Sequence, residues 1–556
     1  MRFHKERRAR RPVVAGLLLT SLATSPFVSA ECTPYPIAVP VGNVTLSNGY
    51  TARGVELAVG HPLQSLAFLP QWPLNNTFIY GTNGYCVNGL SGTGCTTWRG
   101  GQYALLNSDT RRQPPDNPNP TDASPYPKTT TYTDVFQLNE NVTLDEFAIG
   151  VALSDWLEQG YHPMMALGLG SNSTILSALK AGNQIASRVW SMFYGLTGGN
   201  ENAQLDGVLV LGGYDQAKVS GRGYTLDLQP DPRCGTQMLV TIGDMILHFP
   251  NGTDHSIVAP GGGGFTACIT PDFPGLMTLA YDPYFQEFQT ATNASITDRS
   301  LGQEWYTMLY SDGDDPFLGD MSINIQYGPS IRIPNSELVI PERTVDSSTG
   351  MLVANYSRSN LVINSLQDVN ENDLSQLGRM FLSSAYVMAN QDSGKFTIWA
   401  ANPTTVESLV GVDGSGKDVT TFCSNSTAPE STATTPTAPG PSGNANSPKL
   451  SSGAIAGIVV GAVAAVAIVT GALLWRRRRG KVSTTVEVGP PYAPQGAPLQ
   501  PDFYPYYPTS VQDPSKREPS MLPGGESTPD PAELTNETSE LRRPSTMGAP
   551  RFELGG

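Results

Sequence analysis

Residues Val59–Ile79 read V-G-H-P-L-Q-S-L-A-F-L-P-Q-W-P-L-N-N-T-F-I, and the stretch holds no acidic residue. The gap extends further, since no Asp or Glu occurs anywhere from Leu57 to Ser108. Around it, residues 31–423 continue as short apolar, β-branched and aromatic runs broken by Gly, Asn, Asp and Pro. Val208-Leu209-Val210-Leu211 and Phe396-Thr397-Ile398-Trp399 are examples. This pattern predicts a mostly-β architecture with few helices, the best candidates being Thr174–Ala181 and Pro283–Thr290. A stretch of this length exceeds what a single core usually organises, so two lobes are expected.

The ends of the chain are of a different character. Arg2, Lys5, Arg7, Arg8, Arg10 and Arg11 precede the apolar run Val13–Ala23, and Val28-Ser29-Ala30 follows. Residues 1–30 are therefore expected to be a secretory signal peptide. Ala454–Trp475 is uncharged, spans about 33 Å as a helix, and ends on Arg476-Arg477-Arg478-Arg479. We expect a transmembrane helix with the arginines on the cytoplasmic side, hence a single-pass type I protein with its N-terminal domain outside. The plasma membrane is the expected location, with the vacuolar membrane as the alternative. Gly453, Gly457 and Gly461 share one face of that helix and suggest a homodimer. Residues 424–452, rich in Ser, Thr and Pro, are expected to form a glycosylated stalk. Residues 476–556 are Pro-rich and polar and are expected to be a disordered tail. Pro490-Pro491-Tyr492 and Phe503–Pro508 are candidate ligands for a cytosolic adaptor.

Cys32, Cys86, Cys95, Cys234, Cys268 and Cys423 all precede the apolar span, in an oxidising compartment, so three disulfides are expected. Cys86–Cys95 is favoured as a local loop and Cys234–Cys268 as a clip within the second half. Cys32–Cys423 then follows by elimination. Glycosylation sequons occur at Asn43, Asn75, Asn141, Asn172, Asn251, Asn293, Asn355 and Asn425, while Asn536 lies in the tail and should stay bare. A net charge of −15 argues against a nucleic-acid partner. The scattered histidines His61, His162, His248 and His255 and the lack of C-x-x-C argue against a metal site, and no cofactor motif is present.

Val59–Ile79 resembles the first catalytic segment of pepsin-like aspartic peptidases, I-G-T-P-x-Q-x-x-x-V-x-x-D-T-G-S-S-N-L-W-V. Gly60, Pro62, Gln64 and Asn76 coincide with family residues, and Phe78 falls on the tryptophan. Met165–Gly170 with Ile175–Leu179, then Leu205–Gly221, then Leu377–Ala400 are similar to further family segments in the same order. Arg99-Gly100-Gly101 and Leu144–Ala152 look like the fungal members. The resemblance implies a bilobal acid-protease fold, with an N-lobe of about 31–230 and a C-lobe of about 231–423. It also implies a cleft whose chemistry needs one aspartate from each lobe, the two sharing a proton and a water.

Those aspartates are missing. Gln71-Trp72-Pro73 falls where the family has Asp-Thr-Gly. In the second lobe, anchoring on Leu276–Leu279 puts Pro271 on the aspartate and Phe273 on the glycine, with Asp272 one residue late. Proline has no N–H to donate, so the usual hydrogen-bonded turn is not expected there. Trp72 and Phe273 are expected to fill part of the cleft floor. Asp392-Ser393-Gly394 matches the motif only as a string and is expected to be a hairpin turn. Tyr132 is the candidate for the family's flap tyrosine, although a surface tyrosine in a loop is the better reading. The expectation is a membrane-anchored pseudopeptidase whose cleft binds peptide or a cell-wall ligand. The alternatives are an active acid endopeptidase and a pepsin-fold inhibitor of another hydrolase.

Overall fold

A computed structural model describes residues 32–82, 91–114, 129–152, 164–198, 203–258, 262, 264–367 and 370–423. The signal segment, stalk, apolar span and tail lie outside these residues, as do Cys86, Asn425 and Asn536. So do Gly453, Gly457 and Gly461. No helix among the described residues is long and apolar enough to cross a membrane. Strands account for 49% of the described residues and helices for 12%, so the mostly-β expectation holds.

A twelve-stranded sheet gathers the strands of the first half and also takes in the closing hairpin of the second. That hairpin, Ala385–Asn390 with Lys395–Ala401, pairs on one side with Val189–Leu196 and on the other with Val219–Asp227. Eight-stranded and four-stranded sheets are built from residues of the second half. The main core is aliphatic and aromatic throughout, with Phe68, Phe136, Trp190, Phe285 and Phe381 fully enclosed. Alternating burial along Ile37–Thr45 and Thr129–Asn139 is the period-2 signature of strands with one covered face.

The Cys32–Cys423 disulfide joins the two ends of this body, with Cα atoms 4.8 Å apart. Tyr35 packs edge-on against Phe422 beside it. Cys234–Cys268 clips the second half, as the spacing predicts. Cys95 is also disulfide-bonded.

Thr174–Ala181 is helical as expected. Ser173 caps it by accepting from the Leu176 N–H, and Ile175, Leu176 and Leu179 bury one face. In the second half, a short irregular turn at Tyr281–Phe285 leads into the helix Gln286–Thr292. The helix Gly92–Arg99 was not expected, because its two glycines and three threonines oppose helix formation. Tertiary contacts override that propensity: Ser91 caps it, Cys95, Trp98 and Arg99 are buried, and Trp98 meets Trp305 edge-on at 6.2 Å.

Candidate functional site: two rebuilt turns

The same strand arrangement occurs twice. In the first half, Gln64–Gln71 runs parallel to Met165–Gly168, which also pairs with Phe78–Tyr80, which in turn runs parallel to Val142–Ala152. In the second half, Phe265–Ile269 runs parallel to Ser375–Leu377, which also pairs with Met277–Ala280, which in turn runs parallel to Ile363–Leu366. Each half therefore projects one turn from the end of a parallel strand pair: Gln71 to Phe78, and Thr270 to Thr278.

Register identifies the equivalent positions. Pro70 lies opposite Leu167 and Gln71 opposite Gly168. Ile269 lies opposite Leu377, and the next step sets Thr270 beside Gly378. Counted from this side, the counterpart of Gln71 is Thr270. On the returning strands Phe78 meets Ala166, two residues before Gly168, while Met277 meets Leu377, one before Gly378; Thr278 therefore matches Phe78, and counted back from there the counterpart is Pro271. The two counts differ because the second turn carries one extra residue.

That residue is absorbed in a hydrogen-bonded β-turn. The Phe273 N–H donates to the Thr270 carbonyl at 3.0 Å across Pro271 and Asp272. Proline at the second position of such a turn costs nothing, since its φ is already suitable and its missing N–H is not needed. Pro271 thus sits in a hydrogen-bonded turn, although not the usual one. A turn forms, but a different one from that in the first half. There the Leu169 N–H donates to the Gln71 carbonyl, whereas its counterpart Arg379 donates to the Phe273 carbonyl.

Both turns lie on glycine. A Cβ on Gly168 would come within 2.3 Å of the Asn76 carbonyl oxygen, and one on Gly378 equally close to that of Gly275. The Phe273 ring lies across Gly275 and Gly378, where added side-chain atoms would meet it at 3.0 and 2.5 Å. Trp72 is buried and leans on Trp190, with ring centroids 5.4 Å apart. Trp72 therefore packs on the strand Val189–Leu196, and Phe273 packs into its own turn. Pro73 stays exposed and faces Gly235, beside the Cys234–Cys268 clip.

Gln71 is buried, and its amide does not ionise at any ordinary pH. Asp272 is the only acidic residue in either turn. It keeps some exposed surface, but its Oδ1 is buried with no hydrogen-bond partner among the described residues. Burial pushes its carboxyl up to about 6, against the pull of its own backbone N–H and of the Arg379 guanidinium. A single carboxyl can donate or accept a proton. It cannot divide the acid and base roles as a like-charged pair does.

No family model and no curated protein matches the chain. The geometry therefore has to carry the functional reading.

Tyr132 is neither in a loop nor at the surface. It sits in Thr129–Asn139 opposite Ile149, 9% exposed, with the Arg111 guanidinium 5.8 Å from its ring centroid. Asp392 occupies the hairpin turn expected of it. Burial would raise its carboxyl, but bonds from Lys180 and from the Arg188 backbone and side chain bring it down to about 2. Of the sequons, Asn43, Asn141, Asn172, Asn251, Asn293 and Asn355 are exposed. Asn75 is half-buried, and its Oδ1 accepts the Asn172 N–H at 2.9 Å, so a glycan there would have to displace a structural contact.

Sequence reading missed a buried carboxylate at the meeting of the two halves. Glu337 accepts from the Thr197 N–H, the Thr197 hydroxyl and the Gly198 N–H, the last at 2.7 Å. Its partners lie about 140 residues away, and no local motif signals them.

Proposed function

We propose that residues 31–423 form a bilobal, pepsin-like body that has lost peptidase chemistry and binds an extended peptide or a wall polymer at the cell surface. A signal peptide, stalk, single membrane span and cytosolic tail, as expected from the sequence, would hold it there as a type I membrane protein. One observation carries this reading: the two-fold repeat of strand, turn and returning strand presents Gln71 in one turn and Thr270-Pro271-Asp272 in the other. An aspartic-peptidase mechanism needs a carboxylate from each turn, and only one turn has any. The bulky Trp72 and Phe273 add support, because they stand where the family's motif has threonine and glycine.

A second reading, an active acid endopeptidase, draws on Asp272, whose raised carboxyl is the kind of group a general acid requires. The two readings differ in one assay. The purified full chain in detergent is incubated with a denatured protein at about pH 3 to 5, with and without a transition-state analogue of aspartic peptidases. The degenerate reading expects no cleavage; analogue-sensitive cleavage that is lost in Asp272→Asn would overturn it.

A further inference from the structure

A cavity of about 660 Å³ opens beside the Cys32–Cys423 disulfide, where the two ends of the body meet, and both cysteines line it. Its apolar wall includes Pro34, Tyr35, Ala38 and Pro40, with Val142 and Leu409. That wall is held in place. The Asn139 side chain donates to the Ala38 carbonyl at 3.1 Å, which pins the turn before Val142 against the first strand. Phe422 supports the Tyr35 ring edge-on at 4.8 Å.

The cavity's charges have one sign. Among the described residues it is lined by two acids, Glu140 and Glu407, and by no Lys, Arg or His. Both acids are exposed, and neither has a hydrogen bond or ion pair among the described residues. Asp215, near Glu407, is buried, but Lys218 lies 3.7 Å from it and donates to the Thr404 and Val406 carbonyls. That pair is matched, and Lys218 does not line the cavity. Burial and then Asp215 raise the Glu407 carboxyl, against the pull of Lys218. Burial, Glu407 and Asp215 likewise raise the Tyr35 hydroxyl. A cation on an apolar stem suits such a wall.

An exposed carboxylate needs no partner, so charge alone does not select an occupant. The chain itself offers one. It leaves the described body at Cys423, in the cavity wall, and residues 424–452 follow. That segment holds a single basic residue and a single large apolar one, and they are neighbours: Lys449 and Leu450, directly after Pro448. Lys449 lies 26 residues beyond Cys423. A tether of that length gives an effective concentration on the order of mM at the cavity from which it starts.

We infer that Pro448-Lys449-Leu450 docks in this cavity, with Pro448 and Leu450 against the Tyr35 wall and the Lys449 ammonium at Glu407. Docking closes residues 424–447 into a loop and brings the body up to the start of the apolar run Ala454–Trp475. It does not depend on what the cleft binds.

The test is zero-length cross-linking of the full chain in detergent, read by mass spectrometry. A carbodiimide joins an ammonium to a carboxylate only where the two touch. An amide between Lys449 and Glu407 is expected, and mixing isotopically light and heavy copies should show it within one chain. Lys449→Glu combined with Glu407→Lys should restore the link that either change alone removes. Leu450→Ser lies beyond the described body, and should lower the yield about tenfold or more by removing the burial of one leucine side chain. Absence of the Lys449–Glu407 link would overturn the inference and leave the cavity to a glycan on Asn141, which also lines it. Links between light and heavy copies would overturn it in favour of a second copy. A yield unchanged by Leu450→Ser would overturn it too, since it would mean a lysine colliding with an exposed acid rather than a docked segment.

Discussion

Asp272→Asn should make the protein more stable at neutral pH and leave it unchanged in acid. The carboxyl moves from 3.8 in the unfolded chain to about 6 in the native one, chiefly because burial disfavours the charge. A raised acid binds its proton more tightly when folded, so the favourable contribution is complete below the unfolded value of 3.8. It is lost as pH rises through about 6. Above that, the native protein holds an ionised group that the unfolded chain would solvate better, at a cost of about 3 kcal/mol. Asparagine has nearly the same shape and no charge to bury. The gain should therefore be absent near pH 3, grow between about pH 4 and 7, and level off at about 3 kcal/mol, a few degrees in Tm. Thermal unfolding of the full chain and the variant, measured in detergent across that range, reads it directly. A gain that is the same at every pH, or a variant less stable than wild type at about pH 8, would refute the reasoning. Either result would mean that Arg379 and the backbone N–H outweigh desolvation.

Three further outcomes follow from contacts elsewhere. Gly378→Ala puts a methyl 2.3 Å from the Gly275 carbonyl oxygen and should cost about 3 kcal/mol or prevent folding, read from the yield of folded protein and Tm. Replacing Cys32 and Cys423 with serine opens a loop of 391 residues and should lower stability by about 6 kcal/mol in the chain-entropy picture, measured by urea unfolding. Glu337→Ala leaves the Thr197 and Gly198 N–H groups without their acceptor at the meeting of the halves and should cost about 2 to 4 kcal/mol. Glu337→Gln, which keeps an acceptor, should cost less.

What could be read from the chain beforehand depended on how local the signal was. Alternating apolar runs identify strands because the period of two belongs to each strand alone. The helix at Thr174–Ala181 announces itself through its Ser173 cap and apolar face. The Asp392 turn is similarly legible, since Asp, Ser and Gly sit between two strands four residues apart. Gly92–Arg99 is helical against its own propensity because its buried face meets Trp305, about 200 residues downstream. Asn75 looks like any other sequon until Asn172, 97 residues on, is seen to use its side chain. Tyr132 was misjudged because burial in a wide sheet depends on strands that a single segment does not reveal.

The second turn shows a limit of another kind. An inserted residue leaves two alignments equally good, one anchored before the insertion and one after, and no residue type decides between them. Strand register separates them: Thr270 is the counterpart of Gln71 from the entering strand, Pro271 from the returning one. This bears directly on chemistry. With turns of equal length, aspartates placed at the two matching positions would sit in the same local geometry. With an extra residue folded into a Thr270-to-Phe273 hydrogen bond, the entering strand alone still matches. Gln71→Asp combined with Thr270→Asp should therefore supply two carboxyl groups without producing cleavage, because Phe273 still covers Gly378 and the second carboxylate lacks the turn that would aim it. Cleavage by that double variant would show that the side chains alone were missing and that the rebuilt turn is incidental.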